Sequence, residues 1–152
     1  MDRIDKSILA LLQENSELAV ADVGKQVGLS TSPCWRRIQR LEKQGYIQKR
    51  VALIDPGHVN LDLIAFVMVR TNQHSVKWLE AFSKAVTDLS EVVEVYRMSG
   101  EVDYLLKIMV PDIAAYDRVY KQLISRIELT DVSSGFSMEV IKSTTALPLN
   151  YA

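Results

Sequence analysis

The sequence contains few of the residues on which catalytic and disulfide-bonded proteins depend. It has one cysteine, Cys34, so no internal disulfide can form, and this fits a protein of the reducing cytoplasm. Its two histidines, His58 and His74, have no cysteine or histidine partners at metal-ligand spacing. A glycine-rich phosphate loop and a nucleophile–base pattern are also missing. These absences argue against an enzyme, and we expect no cofactor.

Long hydrophobic runs are missing as well. The longest apolar stretch, residues 63–69, is far too short to cross a bilayer. The first five residues are acidic and amphipathic, unlike a secretion signal. We therefore expect a cytoplasmic protein that has no membrane partner.

Charge is present in both signs, but it is distributed unevenly. The net charge is −1, yet six basic side chains oppose one acidic side chain between residues 30 and 50. Residues 56–152 instead carry nine basic and twelve acidic side chains. A local basic face on a nearly neutral protein is typical of a surface that binds a polyanion, although a solvated helix face would give the same pattern.

Apolar periodicity predicts three helices at the start of the chain. The first follows Asp2 as a cap, and further helices are predicted over residues 20–27 and 31–44. Gly28 lies where a helix often ends in a left-handed residue. Alternation over residues 47–53 then predicts a short strand. This order is that of a winged helix-turn-helix.

The remaining sequence predicts an α+β sandwich. The predicted strands are 63–71, 92–98, 104–110 and 132–141, and the predicted helices cover 76–86 and a segment that opens at Pro111-Asp112. The order βαββαβ is ferredoxin-like, with two helices on one face of an antiparallel sheet. We expect a helix-turn-helix domain over 1–54, a linker over 55–62 around the Asp55-Pro56-Gly57 turn, and a ferredoxin-like domain over 63–152.

A helix-turn-helix binds double-stranded DNA through its second helix, which enters the major groove. Here that helix would be residues 31–44, and its amides and hydroxyls at the N-terminus suit a phosphate. The predicted DNA-binding residues are Ser30, Thr31, Ser32, Arg36, Arg37, Arg40, Lys49 and Arg50. Spacing alone does not determine which arginine contacts a base.

Two neighbours of these residues have a structural interpretation. Trp35 is expected to cover the core of the small domain, with DNA contact as the alternative. Cys34 falls on the inward face with Ile38 and Leu41, so we interpret it as a small buried hydrophobe rather than a redox sensor.

Ordered fragments along nearly the whole chain resemble one family. They include Pro33-Cys34-Trp35-Arg36-Arg37-Ile38, Gly45-Tyr46-Ile47, Leu53-Ile54-Asp55-Pro56, residues 99–106 and residues 144–149. In this order they are similar to the leucine-responsive regulator/asparagine-regulator (Lrp/AsnC) family of transcriptional regulators. The resemblance implies homodimers that pair through the C-terminal sheet and assemble further to tetramers or octamers. It also implies that an amino acid binds between dimers and changes assembly or DNA affinity.

The resemblance places the effector site at the loop between two predicted strands. The implied residues are Met98, Ser99, Gly100, Glu101, Val102, Asp103 and Tyr104, with Thr144 and Thr145 contributed by a neighbouring subunit. Taken without the resemblance, the loop is an ordinary turn in which Gly100 permits a positive φ.

An amino acid there would need a carboxylate for its ammonium group, which Asp103 or Glu101 could supply, and amides near Gly100 for its carboxylate. The family commonly has an aromatic residue where this chain has Val102, and this departure leaves the pocket size and the side-chain preference open. The overall pattern resembles most the branches of the family that respond to sulfur-containing or branched-chain amino acids. Tyr96 and Arg97 are further candidates of lower weight.

Two alternatives remain at this point. A ferredoxin-like dimer can be an α+β-barrel enzyme, but that would not explain the basic N-terminal segment. A winged helix can also dock on a protein partner while the second domain senses an amino acid. Salt dependence separates the two binding modes, since log K for DNA falls by roughly 0.9 per neutralised phosphate for each tenfold rise in salt.

Overall fold

A computed structural model describes all 152 residues, and the chain forms two compact units. The first unit consists of residues 1–53 together with residues 141–152, and the second consists of residues 54–140. No helix is long and apolar enough to span a membrane.

The first unit contains three helices: α1 (Arg3–Glu14), α2 (Val20–Val27) and α3 (Thr31–Lys43). A reciprocal capping box starts α1, because Asp2 accepts a hydrogen bond from the Asp5 N–H and Asp5 accepts one from the Asp2 N–H. Gly28 ends α2 in the left-handed region at φ 73°. The helices share one apolar core of Ile8, Leu9, Leu12, Val23, Cys34, Ile38 and Leu41.

The C-terminal tail, residues 141–152, belongs to this first unit. The Gln13 side-chain amide donates to the Leu147 carbonyl at 3.0 Å and accepts from the Leu147 N–H at 3.0 Å. Leu149 packs against the three-helix core. This arrangement differs from the division expected from sequence, which assigned the tail to the second domain.

The second unit contains four strands and two helices in the order β1 (Leu63–Arg70), α4 (Val76–Thr87), β2 (Val92–Arg97), β3 (Tyr104–Val110), α5 (Ile113–Arg126) and β4 (Asp131–Phe136). The sheet order is β2-β3-β1-β4, and every neighbouring pair is antiparallel. Alternate residues of β1 and β3 join residues of α4 and α5 in a single core. The predicted ferredoxin-like order is confirmed.

The other face of the sheet has no helix over it. Phe66 and Met68 of β1 lie there beside Lys107 and Leu105 of β3, their partners across the sheet. These side chains are half-buried or exposed, whereas their neighbours Val67 and Leu106 are fully buried on the helix side. The sheet therefore has one covered face and one uncovered face.

Two predicted strands differ from the structure. The strand predicted over 47–53 is wrong: those residues have no regular secondary structure, because an alternating pattern without a partner strand forms no ladder. The last strand ends at Phe136 rather than at Ile141. Its pairing ends near the start of β1, where the Ser137 N–H donates to the Ile64 carbonyl.

Candidate functional site

The N-terminus of α3 is open to solvent. Ser30 is the N-cap but its side chain makes no capping hydrogen bond, and Thr31 and Ser32 are exposed in the first turn. No acidic residue lies in that turn. Free amides and hydroxyls at the positive end of a helix are suited to an anion such as a phosphate.

The arginines of α3 have different environments. Arg37 Nη1 lies 2.6 Å from Asp2 and 2.8 Å from Asp5, and Arg40 Nη2 lies 2.6 Å from Asp5. Both acidic residues belong to the start of α1. The two arginines therefore fasten α3 to α1.

These contacts shift two pKa values. The Asp5 N–H and then the Arg37 guanidinium lower the pKa of Asp2, because both stabilise the carboxylate. The Asp2 and Asp5 carboxylates in turn raise the pKa of Arg37, which is already a permanent cation. The contact between Asp2 and Arg37 thus favours the charged form of both groups.

Arg36 is exposed and forms no salt bridge, which leaves its guanidinium free for a ligand. Lys49 is exposed as well. Arg50 donates to the Ser16 carbonyl at 2.8 Å and to Glu42 at 3.1 Å, so its position is held by other residues of the first unit. Of the basic residues predicted to bind DNA, Arg36 and Lys49 are therefore unpaired, whereas Arg37, Arg40 and Arg50 are paired within the protein.

The expected role of Trp35 as a core cover is wrong, since 53% of this residue is exposed. The residue directly before it, Cys34, is fully buried. Burial also raises the pKa of the Cys34 thiol, because a thiolate is poorly solvated there. The interpretation of Cys34 as a buried hydrophobe is confirmed.

The loop between β2 and β3, residues 98–103, is a tight hairpin connection. The Met98 N–H donates to the Asp103 carbonyl at 2.8 Å, and the Asp103 carboxylate accepts the Thr71 N–H at 2.8 Å. Gly100 has φ 108°, which favours glycine, and a Cβ added there would meet nothing within 4 Å. The loop is therefore anchored at its end and open at its tip.

The two loop carboxylates differ in their freedom. Asp103 is half-buried and holds the backbone of Thr71, whereas the Glu101 side chain is 92% exposed. The only ion pair of Glu101 is with Arg70, at 3.4 Å. Ser99 and Met98 are exposed on the same loop, and Val102 is half-buried.

Tyr104 lies apart from the open part of this loop. Its ring is buried in the aromatic core, with centroids 4.5 Å from Phe82 and 5.9 Å from Trp78. Its side chain supports the hairpin from the core. Thr144 and Thr145 are exposed in the tail of the first unit, where Thr144 Oγ1 accepts the Ala146 N–H at 3.1 Å.

Three polar side chains on the uncovered sheet face form a cluster that the sequence analysis did not predict. Glu94 accepts hydrogen bonds from Tyr96 and from Lys107, the latter at 2.9 Å. Tyr96 and then Lys107 lower the pKa of Glu94, while the pKa of Tyr96 is raised by its carboxylate partner. Glu94 and Tyr96 alternate along β2, but nothing in the sequence indicates that Lys107 pairs across from them.

Comparison with known proteins matches both units. The family model of the Lrp/AsnC ligand binding domain matches residues 64–147, and that of a winged helix-turn-helix DNA-binding domain matches residues 1–48. The DNA-binding transcriptional activator DecR of Escherichia coli is 44% identical over 150 residues, covering 98% of this chain and 99% of that protein.

Two solved structures resemble the whole chain. An AsnC family transcriptional regulator from Agrobacterium tumefaciens is 61% identical with a TM-score of 0.96, covering 99% of both chains. The complex of transcriptional regulator NMB0573 with L-Met from Neisseria meningitidis is 38% identical with a TM-score of 0.94, covering 99% of this chain and 98% of that one.

Proposed function

The chain belongs to the Lrp/AsnC family of DNA-binding transcriptional regulators, which are not enzymes, and we propose that an amino acid bound at its β2–β3 hairpin changes its affinity for DNA. The observation that carries the proposal is the open hairpin itself, with Gly100 at φ 108° and an exposed Glu101. The hairpin offers separate groups for the carboxylate and for the ammonium group of a zwitterionic ligand.

The amides around Gly100 would bind the ligand carboxylate, because a residue without a Cβ allows close approach. Glu101 would accept the ligand ammonium. It suits this role better than Asp103, one of whose carboxylate oxygens already binds the Thr71 amide. Asp103 and Tyr104 would hold the loop in shape, while Ser99, Met98 and Val102 would contact the ligand side chain.

We take L-methionine as the first ligand to test. The support is the Neisseria meningitidis relative, which carries L-Met in its complex and resembles this chain over nearly its full length. A second subunit would add Thr144 and Thr145 to the site. Their hydroxyls are exposed in the single chain and could donate to a ligand carboxylate.

The uncovered sheet face supports pairing into a homodimer. Apolar side chains such as Phe66, Met68 and Leu105 lie half-buried or exposed there without a helix. A second copy would bury them, and further association of dimers to tetramers or octamers would bring Thr144 and Thr145 to a neighbouring hairpin.

The DNA-binding surface would be the outward side of α3. Thr31 and Ser32 would bind a phosphate at the helix N-terminus, and Arg36 would enter the major groove. Lys49 would add affinity that does not depend on sequence. The other three arginines would act mainly by stabilising the first unit, since Arg37, Arg40 and Arg50 each already bind protein groups.

Calorimetric titration with L-methionine tests the sensing proposal. We expect binding by the wild type, weaker binding by Gly100→Ala and Glu101→Gln, and unchanged binding by the matched control Glu80→Gln, an exposed carboxylate on α4. D-methionine provides the ligand control. If the hairpin variants bind as the wild type does, the site is elsewhere. Binding of another L-amino acid, lost in the same variants, would correct the ligand but retain the site.

A further inference from the structure

Trp35 is a large apolar residue on the outside of a helix whose other outward residues are polar. The inward face of α3 is Cys34, Ile38 and Leu41, all buried. Trp35 lies on the flank beside this face and is 53% exposed. Leaving an indole in water forgoes the free energy of burying it, and tryptophan is enriched at interfaces, where its ring can be covered by a partner.

The surroundings of Trp35 belong to the helix-turn-helix itself. The ring lines a shallow depression together with Val20 from the first turn of α2 and Thr31, Ser32 and Arg36 of α3. The depression thus lies where the N-termini of both helices meet. The neighbouring hydroxyls and the unpaired Arg36 cation suit the phosphates of a nucleic acid, and the indole adds an apolar surface beside them.

Duplex DNA offers one strongly apolar group in the major groove, the C5-methyl group of thymine. We propose that Trp35 is a specificity-determining residue that packs against a thymine methyl group, with Arg36 beside it on the neighbouring base edge or phosphate. Arg37 and Arg40 are bound to Asp5 of α1, which leaves Trp35 and Arg36 as the long side chains of the first two turns of α3 that are free to contact bases.

The test removes the methyl group from the DNA and the indole from the protein. A binding site is first obtained by selection from a random duplex library, and each thymine in it is then replaced singly by deoxyuridine. Burial of one methyl group corresponds to about a fourfold change in affinity. We expect the wild type to lose about fourfold at one thymine in each half-site.

The same deoxyuridine series is then measured with Trp35→Ala. We expect the fourfold penalty to disappear, because the partner of the methyl group has been removed. Tyr46→Ala is the matched control, since Tyr46 is similarly exposed at 52% but lies outside α3, and its series should match that of the wild type. A wild-type series with no penalty, or a penalty that persists in Trp35→Ala, would overturn the proposal.

Two further measurements guard against a folding artefact. Trp35→Phe retains a ring and should retain part of the deoxyuridine penalty. In the wild type, acrylamide should quench Trp35 far more than Trp78, which is only 9% exposed. The selected duplex should reduce this quenching, and unchanged quenching in the DNA complex would also contradict the proposal.

Discussion

Asp5 of α1 binds both Arg37 and Arg40 of α3, through Oδ1 at 2.8 Å and Oδ2 at 2.6 Å. The Asp5 side chain is only 3% exposed, while those of the arginines are 26% and 48% exposed. This buried carboxylate of α1 lies between two cations of α3, and it thereby fixes the angle between the two helices. The geometry of the DNA-binding helix therefore depends on a residue that need not touch DNA.

Asp5→Asn should destabilise the three-helix unit. Removing one partner of a buried ion pair costs about 3–5 kcal/mol. Solvent screens the partly exposed arginines, so we expect a loss of roughly 2 kcal/mol. Urea unfolding followed by circular dichroism at 222 nm measures this loss. The control Asp22→Asn removes an exposed pair with Lys25 and a charge in the first turn of α2, so it should lower the midpoint much less than Asp5→Asn does. Equal midpoints for both variants would show that the cluster is not stabilising.

The lowered pKa of Asp2 predicts how the stability of the first unit changes as the pH falls. A carboxyl group whose pKa is lower in the folded state stabilises that state above its ordinary pKa, about 3.9 for aspartate, and this contribution is lost as the pH falls through the folded value. We expect the stability advantage of the wild type over Asp2→Asn to be full at pH 6 and to shrink below about pH 4. A pH-independent difference between the two proteins would contradict this assignment.

The hydrogen bonds between Gln13 and Leu147 predict that the tail is held on α1. Each neutral hydrogen bond contributes about 1 kcal/mol. In Gln13→Ala we therefore expect faster amide hydrogen exchange at residues 144–147 with little change at α3. Gln39→Ala is a matched control that removes a surface amide within α3, and it should leave exchange in the tail unchanged. Equal exchange rates in the tails of Gln13→Ala and the wild type would show that Gln13 does not hold the tail on α1.

The uncovered sheet face predicts that a charged substitution on it changes the oligomeric state. Met68→Glu places a charge among apolar side chains next to Leu105, its partner across the sheet. If a second copy covers this face, burying that charge is unfavourable, and light scattering should show a shift toward monomer. Glu80→Lys on α4 serves as the surface-charge control. A Met68→Glu protein with the wild-type mass would show that pairing uses another surface.

Much of the fold could be predicted because its signals are local. The helical spacing of apolar residues determined α2 and α3, and Gly28 marked the end of α2 through its left-handed backbone. The strand predicted over residues 104–110 has the same bounds as β3. Such patterns report which side of an element is buried, and burial is what stabilises the element.

The features that could not be predicted join residues far apart in the chain. Asp5 lies 32 residues before Arg37, and Gln13 lies 134 residues before Leu147, so no periodic pattern connects either pair. The residues 47–53 alternate as a strand does, but they have no partner strand in the chain. Tryptophan is buried on average, but Trp35 is exposed because its position lies beside the inward face of α3 rather than on it.

The effect of amino acids on DNA affinity tests the central claim most directly. Fluorescence anisotropy at fixed salt would give the affinity for the selected duplex without ligand and with each common L-amino acid. We expect at least one of them, with L-methionine tested first, to change the affinity by about fivefold or more. The DNA should then change the affinity for that amino acid by the same factor, because coupling is reciprocal. DNA affinity that no amino acid changes at millimolar concentration would contradict the account.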